Sequence, residues 1–511
     1  MDAILPFARL ITPSDRREVR PDAPHALVIG AGFGGLAAAI RLSVRGYRVT
    51  IVDRLDQPGG RARVHHLDGW VFDAGPTLVT APFLFEELWA LCGRDMHDAV
   101  DLRATEPFYR IRFDDGDTFE YSGDLQRMRD EIARVSPSDL AGYDAFLHKS
   151  EEIYRVGFER LGHVPFGSML DMARVAPAMV QLDSHLSVHR LVSRYVRSEK
   201  LRQVLSFHPL LVGGNPYRTT SIYALIAFLE RKWGVWFPMG GTGALVRGLV
   251  ELLEERGVRI QLGTHVSEIL IDDGVARGVR LEDGATIDAD LVVSNADSAA
   301  LYRHLVPARW RRRWTDARLE RAAYSMSLFV WYFGTDVQYP DVAHHTILLG
   351  PRYRGLLADI FERKTLAEDF SLYLHRPTAT DPSMAPPGCD AFYVLSPVPH
   401  LDAAVDWRDE CERYRARIER HLEATVLPGL RAHLTVSKTL DPIGFRDDYA
   451  SFKGAAFGIQ PTLLQSAWFR PHNRSEDVAN LYLVGAGTHP GAGLPGVLST
   501  ARVLDSLVPD P

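Results

Sequence analysis

Cysteine is scarce in this chain. Its three residues, Cys92, Cys389 and Cys411, lie far apart and form no CxxC pair. That excludes a disulfide framework and a thiolate zinc site, and it points to a reducing compartment. The thiols read as small hydrophobes of the interior. HExxH is missing too, so no metal site is expected. No run reaches the roughly 20 mostly apolar residues of a membrane-spanning helix; the apolar stretch 221–229 ends on Glu230, Arg231 and Lys232. The protein is expected to be cytoplasmic, either soluble or peripheral on a membrane. A basic excess is also absent. The 58 Lys and Arg stand against 65 Asp and Glu, for a net charge of -7, which argues against nucleic acid as a partner. No repeat or low-complexity tract occurs. Residues 1–24, with Arg16, Arg17, Glu18, Pro21 and Pro24, read as a loose tail and not as a secretory signal.

What is present is an ordinary globular composition: 511 residues, 46% hydrophobic and 24% charged, enough for two or three domains. The apolar run 25–29 reads as a buried strand. Glycines follow at once, then an alanine-rich helix over 36–44 with Gly46 at its end, then a second strand at 48–52. This is a βαβ-type opening. Residues 83–235 read as mostly helical, with helical spacing over 86–91, 141–159 and 189–203. Strands return at 258–261, 266–271, 291–294, 325–333, 391–395 and 481–484. The expected fold is α/β with two domains. A Rossmann-like nucleotide-binding domain would be assembled from residues 25–82, 236–300 and 450–511. A helical substrate and membrane-associating region would occupy 83–235, and the sheet and helices of the substrate domain 301–449.

Gly30, Gly32 and Gly35 form GxGxxG between the first strand and the first helix. The first glycine permits a tight turn, the second lets the backbone approach a pyrophosphate, and the third lets helix and strand pack closely. The helix N-terminus offers free N–H groups and a positive dipole end to the phosphates. Asp53 closes the second strand about 20 residues beyond Gly32, where an acid holds ribose hydroxyls. This fingerprint alone does not separate NAD from FAD, but two further segments do. Gly59, Gly60 and Arg61 combine close backbone approach with a phosphate-seeking guanidinium fork. Far away, residues 485–496 (GAGTHPGAGLPG) connect the last strand to a helix. The positive end of that helix suits the negative charge of a reduced flavin. The expected cofactor is FAD. Its candidate contacts are Gly30, Gly32, Gly34, Gly35, Asp53, Gly59, Gly60, Arg61, Val266, Gly485, Gly487, Gly493 and Val497. Residues 240–243 (GGTG) lack a preceding strand and a following acid, so they offer no second dinucleotide site. Reoxidation is left to oxygen or a quinone.

With these segments go residues 73–77 (DAGPT), 107–110 (PFYR), 211–216 (LVGGNP), 230–238 (ERKWGVWFP), 240–245 (GGTGAL), 370–375 (FSLYLH), 396–400 (SPVPH) and 465–471 (QSAWFRP). Together they resemble the FAD-dependent bacterial phytoene desaturases, over about residues 25–506. The resemblance implies an FAD domain joined to a substrate domain, and stepwise dehydrogenation of phytoene in carotenoid biosynthesis, through ζ-carotene and neurosporene to lycopene. Such a C40 polyene has no polar group. Its site should be a long apolar tunnel read by shape, with wall residues between Phe207 and Trp236. Hydride loss to flavin would leave a delocalised cation, and a base would take the neighbouring proton. The match over residues 164–174 (VPFGSMLDMAR) implies Asp171 and Arg174 for that work, against the plainer reading of a surface pair at i, i+3. His489 is a third candidate, beside the flavin.

Contact with a membrane lipid surface is expected from Arg190, Arg194 and Arg197 on one helix, and from the Trp310 to Trp314 cluster of aromatics and cations. Other readings stay open: an amine or porphyrinogen oxidase, a carotenoid isomerase, a desaturase acting later in the pathway, and a flavin-free prenyl carrier, which the glycine segments disfavour. The oligomeric state is not legible.

Overall fold

The computed structural model describes residues 10–511. Its first sheet is parallel and five-stranded, in the order Leu481–Leu483, Leu291–Ser294, His25–Ile29, Arg48–Val52, Arg259–Gln261. A parallel sheet is covered on both faces, so its strands are continuous apolar runs. Every residue of His25–Ile29 and Leu291–Ser294 is buried. Helix Phe33–Arg45 is buried along its whole length. Its small side chains allow close approach, and two arginines, Arg41 and Arg45, are enclosed with them. Arg41 pairs with Asp505 at 2.5 Å and with Glu87 at 2.6 Å. One cation thereby ties the glycine-loop helix to the terminal helix Leu494–Asp505 and to helix Phe83–Leu91. Burial works against Glu87, yet Arg41 and Arg502 hold its carboxyl below the usual range.

The second sheet has seven strands, in the order Leu434–Leu440, Ser327–Thr335, Asp390–Val398, Leu372–His375, His345–Leu348, Tyr109–Arg112, Thr118–Tyr121. All its pairs are antiparallel except Tyr109–Arg112 with His345–Leu348. Helices Leu140–Tyr154, Met169–Gln181 and Leu225–Trp233 stand in the segment between its first and later strands.

Residues 83–235 are mostly helical, as expected, but they also supply two strands to the seven-stranded sheet and a third, Leu102–Ala104, which pairs with Trp236–Pro238. In-out alternation is present in these strands but lasts only four residues each, too short a signal to stand out. The helix expected over 189–203 is two helices, Val188–Val192 and Glu199–Ser206. The Ser187 and Ser198 side chains cap them, and the Asp139 carboxylate accepts the N–H groups of Arg197 and Ser198 at 2.9 and 2.8 Å. Serine competes for backbone groups and favours such breaks, so Arg190, Arg194 and Arg197 share no helix face. The expected tail lies partly outside the described residues. Residues 10–24 run along the parallel-sheet domain, with Arg17 N–H bonded to Val44 O at 2.8 Å and Arg16 Nη1 to Cys92 O at 2.8 Å.

Candidate active site

The glycine fingerprint builds one wall of a cavity of about 850 Å³. Gly30 turns the chain at φ +97°, a region costly for any residue with a Cβ. Its N–H bonds Val52 O at 2.8 Å. A Cβ on Gly35 would meet Gly30 O at 1.9 Å, so the helix sits on the turn with no space between. Gly34 is equally confined, since its Cβ would lie 2.5 Å from Asn295 Oδ1 and 3.0 Å from Gly485 N. Three chain segments thus converge on one point. The second glycine pair docks alongside, with Gly59 N–H bonded to Ala31 O at 2.8 Å. Asp53 accepts the N–H of Ala31 at 2.6 Å and of Leu55 at 2.8 Å, and it faces the cavity. Burial raises its pKa, and the two backbone bonds oppose that. Arg61 donates to Ser451 Oγ at 2.7 Å.

Of the thirteen cofactor candidates, all but Gly35 line this cavity, and Gly35 supports the loop from behind. The terminal segment closes the same end. Gly485 N–H bonds Thr500 Oγ1 at 2.9 Å, and Gly493 sits at the N-terminus of helix Leu494–Asp505. The cradle suits a dinucleotide of the FAD type: backbone exposed where a Cβ would fill the space, a buried acid at a strand end, and a helix N-terminus at each side. Sequence reasoning missed Asn295 and Asp297, which also line it. Their only local signal was the end of an apolar run, since it is the pairing of strand Leu291–Ser294 with His25–Ile29 that brings them beside the first glycine turn.

Beyond the cradle the cavity continues between the two sheets and becomes apolar, with Phe158, Leu161, Leu211, Ile226, Leu229 and Leu372 in its walls. Of the thirty residues of the expected wall segment, 207–236, eleven line the cavity. Two polar islands interrupt it. Thr77 Oγ1 lies 3.0 Å from the hydroxyls of Tyr373 and Tyr393, and the Tyr373 hydroxyl lies 2.7 Å from His345 Nδ1. Behind it, buried His344, His345 and His375 bring ring nitrogens within 4.8 Å of one another. Burial holds all three neutral, with His344 brought down to about 3. In the second island the Tyr109 hydroxyl donates to Glu230 Oε1 at 2.7 Å, and His208 Nε2 lies 3.2 Å from Glu230 Oε2.

The three catalytic candidates separate. His489 faces the cavity, is buried, and donates from Nε2 to Leu161 O at 3.0 Å. Burial lowers its pKa to about 4, so it is a neutral imidazole with Nδ1 left as acceptor. Asp171 and Arg174 do not line the cavity. Asp171 closes a reciprocal cap with Ser168 at the start of helix Met169–Gln181, and Arg174, about half exposed, stands 3.8 Å from it. Their neighbours Met172 and Met179 point inward to the cavity instead. Residues 310–314 also differ from expectation. Trp314 is buried, and the N–H groups of Arg312, Arg313 and Trp314 donate to the Asp477 carboxylate at 3.1, 2.8 and 3.0 Å, so this cluster is committed to the protein's own acids.

The model of the flavin-containing amine oxidoreductases matches residues 33–503. The chain belongs to that family. Its cofactor is FAD. Within the family the chain is 50% identical to a lycopene-forming phytoene desaturase of Pseudescherichia vulneris, over 94% of this chain and 98% of that protein. It is 48% identical to a neurosporene-forming phytoene desaturase of Cereibacter sphaeroides, over 96% of this chain and 95% of that one. A solved oxidoreductase from Methanosarcina mazei shares the fold of this family member, with a TM-score of 0.64 at 20% identity over 94% of this chain and 99% of that one.

Proposed function

We propose that the chain is an FAD-dependent phytoene desaturase that dehydrogenates 15-cis-phytoene stepwise to neurosporene, lycopene or both. One observation carries this reading: a single cavity runs from a glycine-built dinucleotide cradle into an apolar channel between two sheets. FAD, when bound, supplies the hydride acceptor. The protein's own part is to hold a featureless chain by shape, exclude water from the reacting carbons and provide for the departing proton. His489 is the cavity-facing candidate for that proton, as an acceptor at Nδ1. Asp171 and Arg174 would serve only if helix Met169–Gln181 shifts toward the cavity. Oxygen or a membrane quinone would take the electrons.

The substrate lives in lipid, so the channel should open on a membrane. Met169, Leu170, Val180 and Leu464 are exposed large hydrophobics, and partly exposed Leu463 both joins them and lines the cavity. We infer a peripheral membrane contact there, since exposed apolar residues beside a channel mouth are costly in water alone. No helix among the described residues is long and apolar enough to cross a membrane.

The test is anaerobic incubation of the FAD-loaded protein with phytoene in liposomes, following flavin absorbance and extracted pigment together. Flavin bleaching with new conjugated polyene is the expected result, and the pigment spectrum counts the steps. Flavin that stays oxidised beside unchanged phytoene would move a later-pathway desaturase to first place.

A further inference from the structure

Arg470 is a fully buried charge that, among the described residues, has no carboxylate beside it. Only 1% of it is exposed, and it makes no ion pair among the described residues. Its Nη2 donates to the carbonyls of Ile459 at 2.8 Å and Ala486 at 3.3 Å, while the buried Nε and Nη1 meet no carboxylate and make no well-formed hydrogen bond, the neutral Tyr223 hydroxyl lying beside the guanidinium. Guanidinium stays protonated in proteins, so this is a buried cation left uncompensated. Such a group costs several kcal/mol unless something negative meets it. Arg41, equally buried, has two carboxylates.

The surroundings indicate where that negative charge arises. A Cβ on Gly491 would lie 2.6 Å from Arg470 Nη1 and 3.2 Å from the Tyr223 hydroxyl. The Arg470 guanidinium therefore presses on the 485–493 loop from the side away from the cavity, while the Tyr223 hydroxyl meets the same glycine from the cavity wall, to which the loop presents Ala486, Gly487, His489, Pro490 and Ala492. The loop leads into the N-terminus of the twelve-residue helix Leu494–Asp505, which adds a positive dipole end on the same side. Each dehydrogenation removes two electrons and two protons from a carbon–carbon bond. With FAD bound there, a hydride would pass to it from one carbon and a proton from the neighbouring carbon to a base and on to solvent, so each turnover would leave one negative charge on the cofactor.

We propose that Arg470 is a positioning residue that places a fixed positive charge behind the 485–493 loop and thereby favours reduction of the bound cofactor. This rests on the FAD reading above. Low local dielectric makes a preorganised charge effective without reorganisation. Tyr223, which lines the cavity, shields the guanidinium from the channel, where a cationic polyene would be repelled.

The test is equilibrium reduction of the FAD-loaded chain against a dye of known potential. In Arg470→Met the equilibrium should move at least tenfold toward the oxidised form, about 30 mV for a two-electron couple. Arg470→Lys, which keeps the charge, should recover most of the shift, and Tyr223→Phe should move it less than twofold. Should Arg470→Met not fold, Arg470→Gln carries the same expectation. The unaltered protein gives an independent readout. Stabilised negative charge means uptake of one proton per two electrons, a slope of about 30 mV per pH unit through neutrality and below. Arg470→Met with unchanged potential, or a wild-type slope twice as steep, would overturn this inference alone. A wild-type chain that binds no FAD would overturn the functional reading with it.

Discussion

The two ends of the cavity are built on opposite terms. At the cradle end the surface is mostly backbone, and the space is set by what a Cβ would strike: Gly30 O beside Gly35, Asn295 and Gly485 beside Gly34. At the channel end the surface is side chain from both sheets and their helices. Backbone cannot move aside, whereas packed side chains adjust their rotamers within limits. The cradle therefore tolerates almost nothing, and the channel should tolerate changes that keep volume and polarity. On the proposed function, the first end holds the cofactor and the second selects the polyene by shape.

The sharpest way to break this contrast is Gly35→Ala. The added methyl would meet a backbone carbonyl at 1.9 Å, so the substitution should cost about 3 kcal/mol and leave the purified protein without yellow FAD absorbance. A variant with full flavin content and an unshifted Tm would refute the claim that backbone sets this end. The converse change is Ile226→Trp in the channel wall. It should retain FAD and lower pigment formation at least tenfold, about 1.4 kcal/mol in the barrier. Equal loss of flavin would show that the ends are not independent.

Acid should act on both ends, more on the channel side. His344 is brought to about 3, His345 and His375 further down, and His489 of the cradle to about 4, in each case chiefly by burial. The unfolded chain protonates such rings near pH 6.5, so below that pH it binds more protons than the fold does. Stability from these groups is complete above about 6.5 and lost as pH falls toward 4. Calorimetry should show Tm falling between pH 7 and pH 5, and a flat Tm would contradict it. The smallest effect is expected for Asp171→Asn, about 1 kcal/mol from a weakened cap with turnover unchanged. A tenfold loss of turnover there would return Asp171 to the reacting carbons.

How much of this was legible depended on range. The cradle was readable because each part is local: a strand, a glycine at a fixed offset, an acid at the next strand end. Asn295 shows the edge of that legibility, since its role follows from a neighbouring strand in space. Helix breaks at Ser193 to Ser198 and the two short strands of residues 109–121 were lost because their signals span a turn or less. The membrane reading shows the same limit from the other side. Arginine spacing suggested one interface at 189–203, but capping serines divide that helix, and the most exposed large hydrophobics, Met169, Leu170, Val180 and Leu464, lie outside it.

The sequence alone determined a dinucleotide cofactor, because glycine geometry and phosphate recognition are written in consecutive residues and do not depend on what packs around them; the choice of FAD took two further segments, and the chemistry class came from the resemblance. Only the tertiary structure decided which side chains face the substrate, that Asp171 closes a helix while His489 faces the cavity, and that Arg470 is left without a counter-charge. Those are outcomes of which distant segments meet, and burial and pairing are properties of that meeting rather than of any residue in the chain.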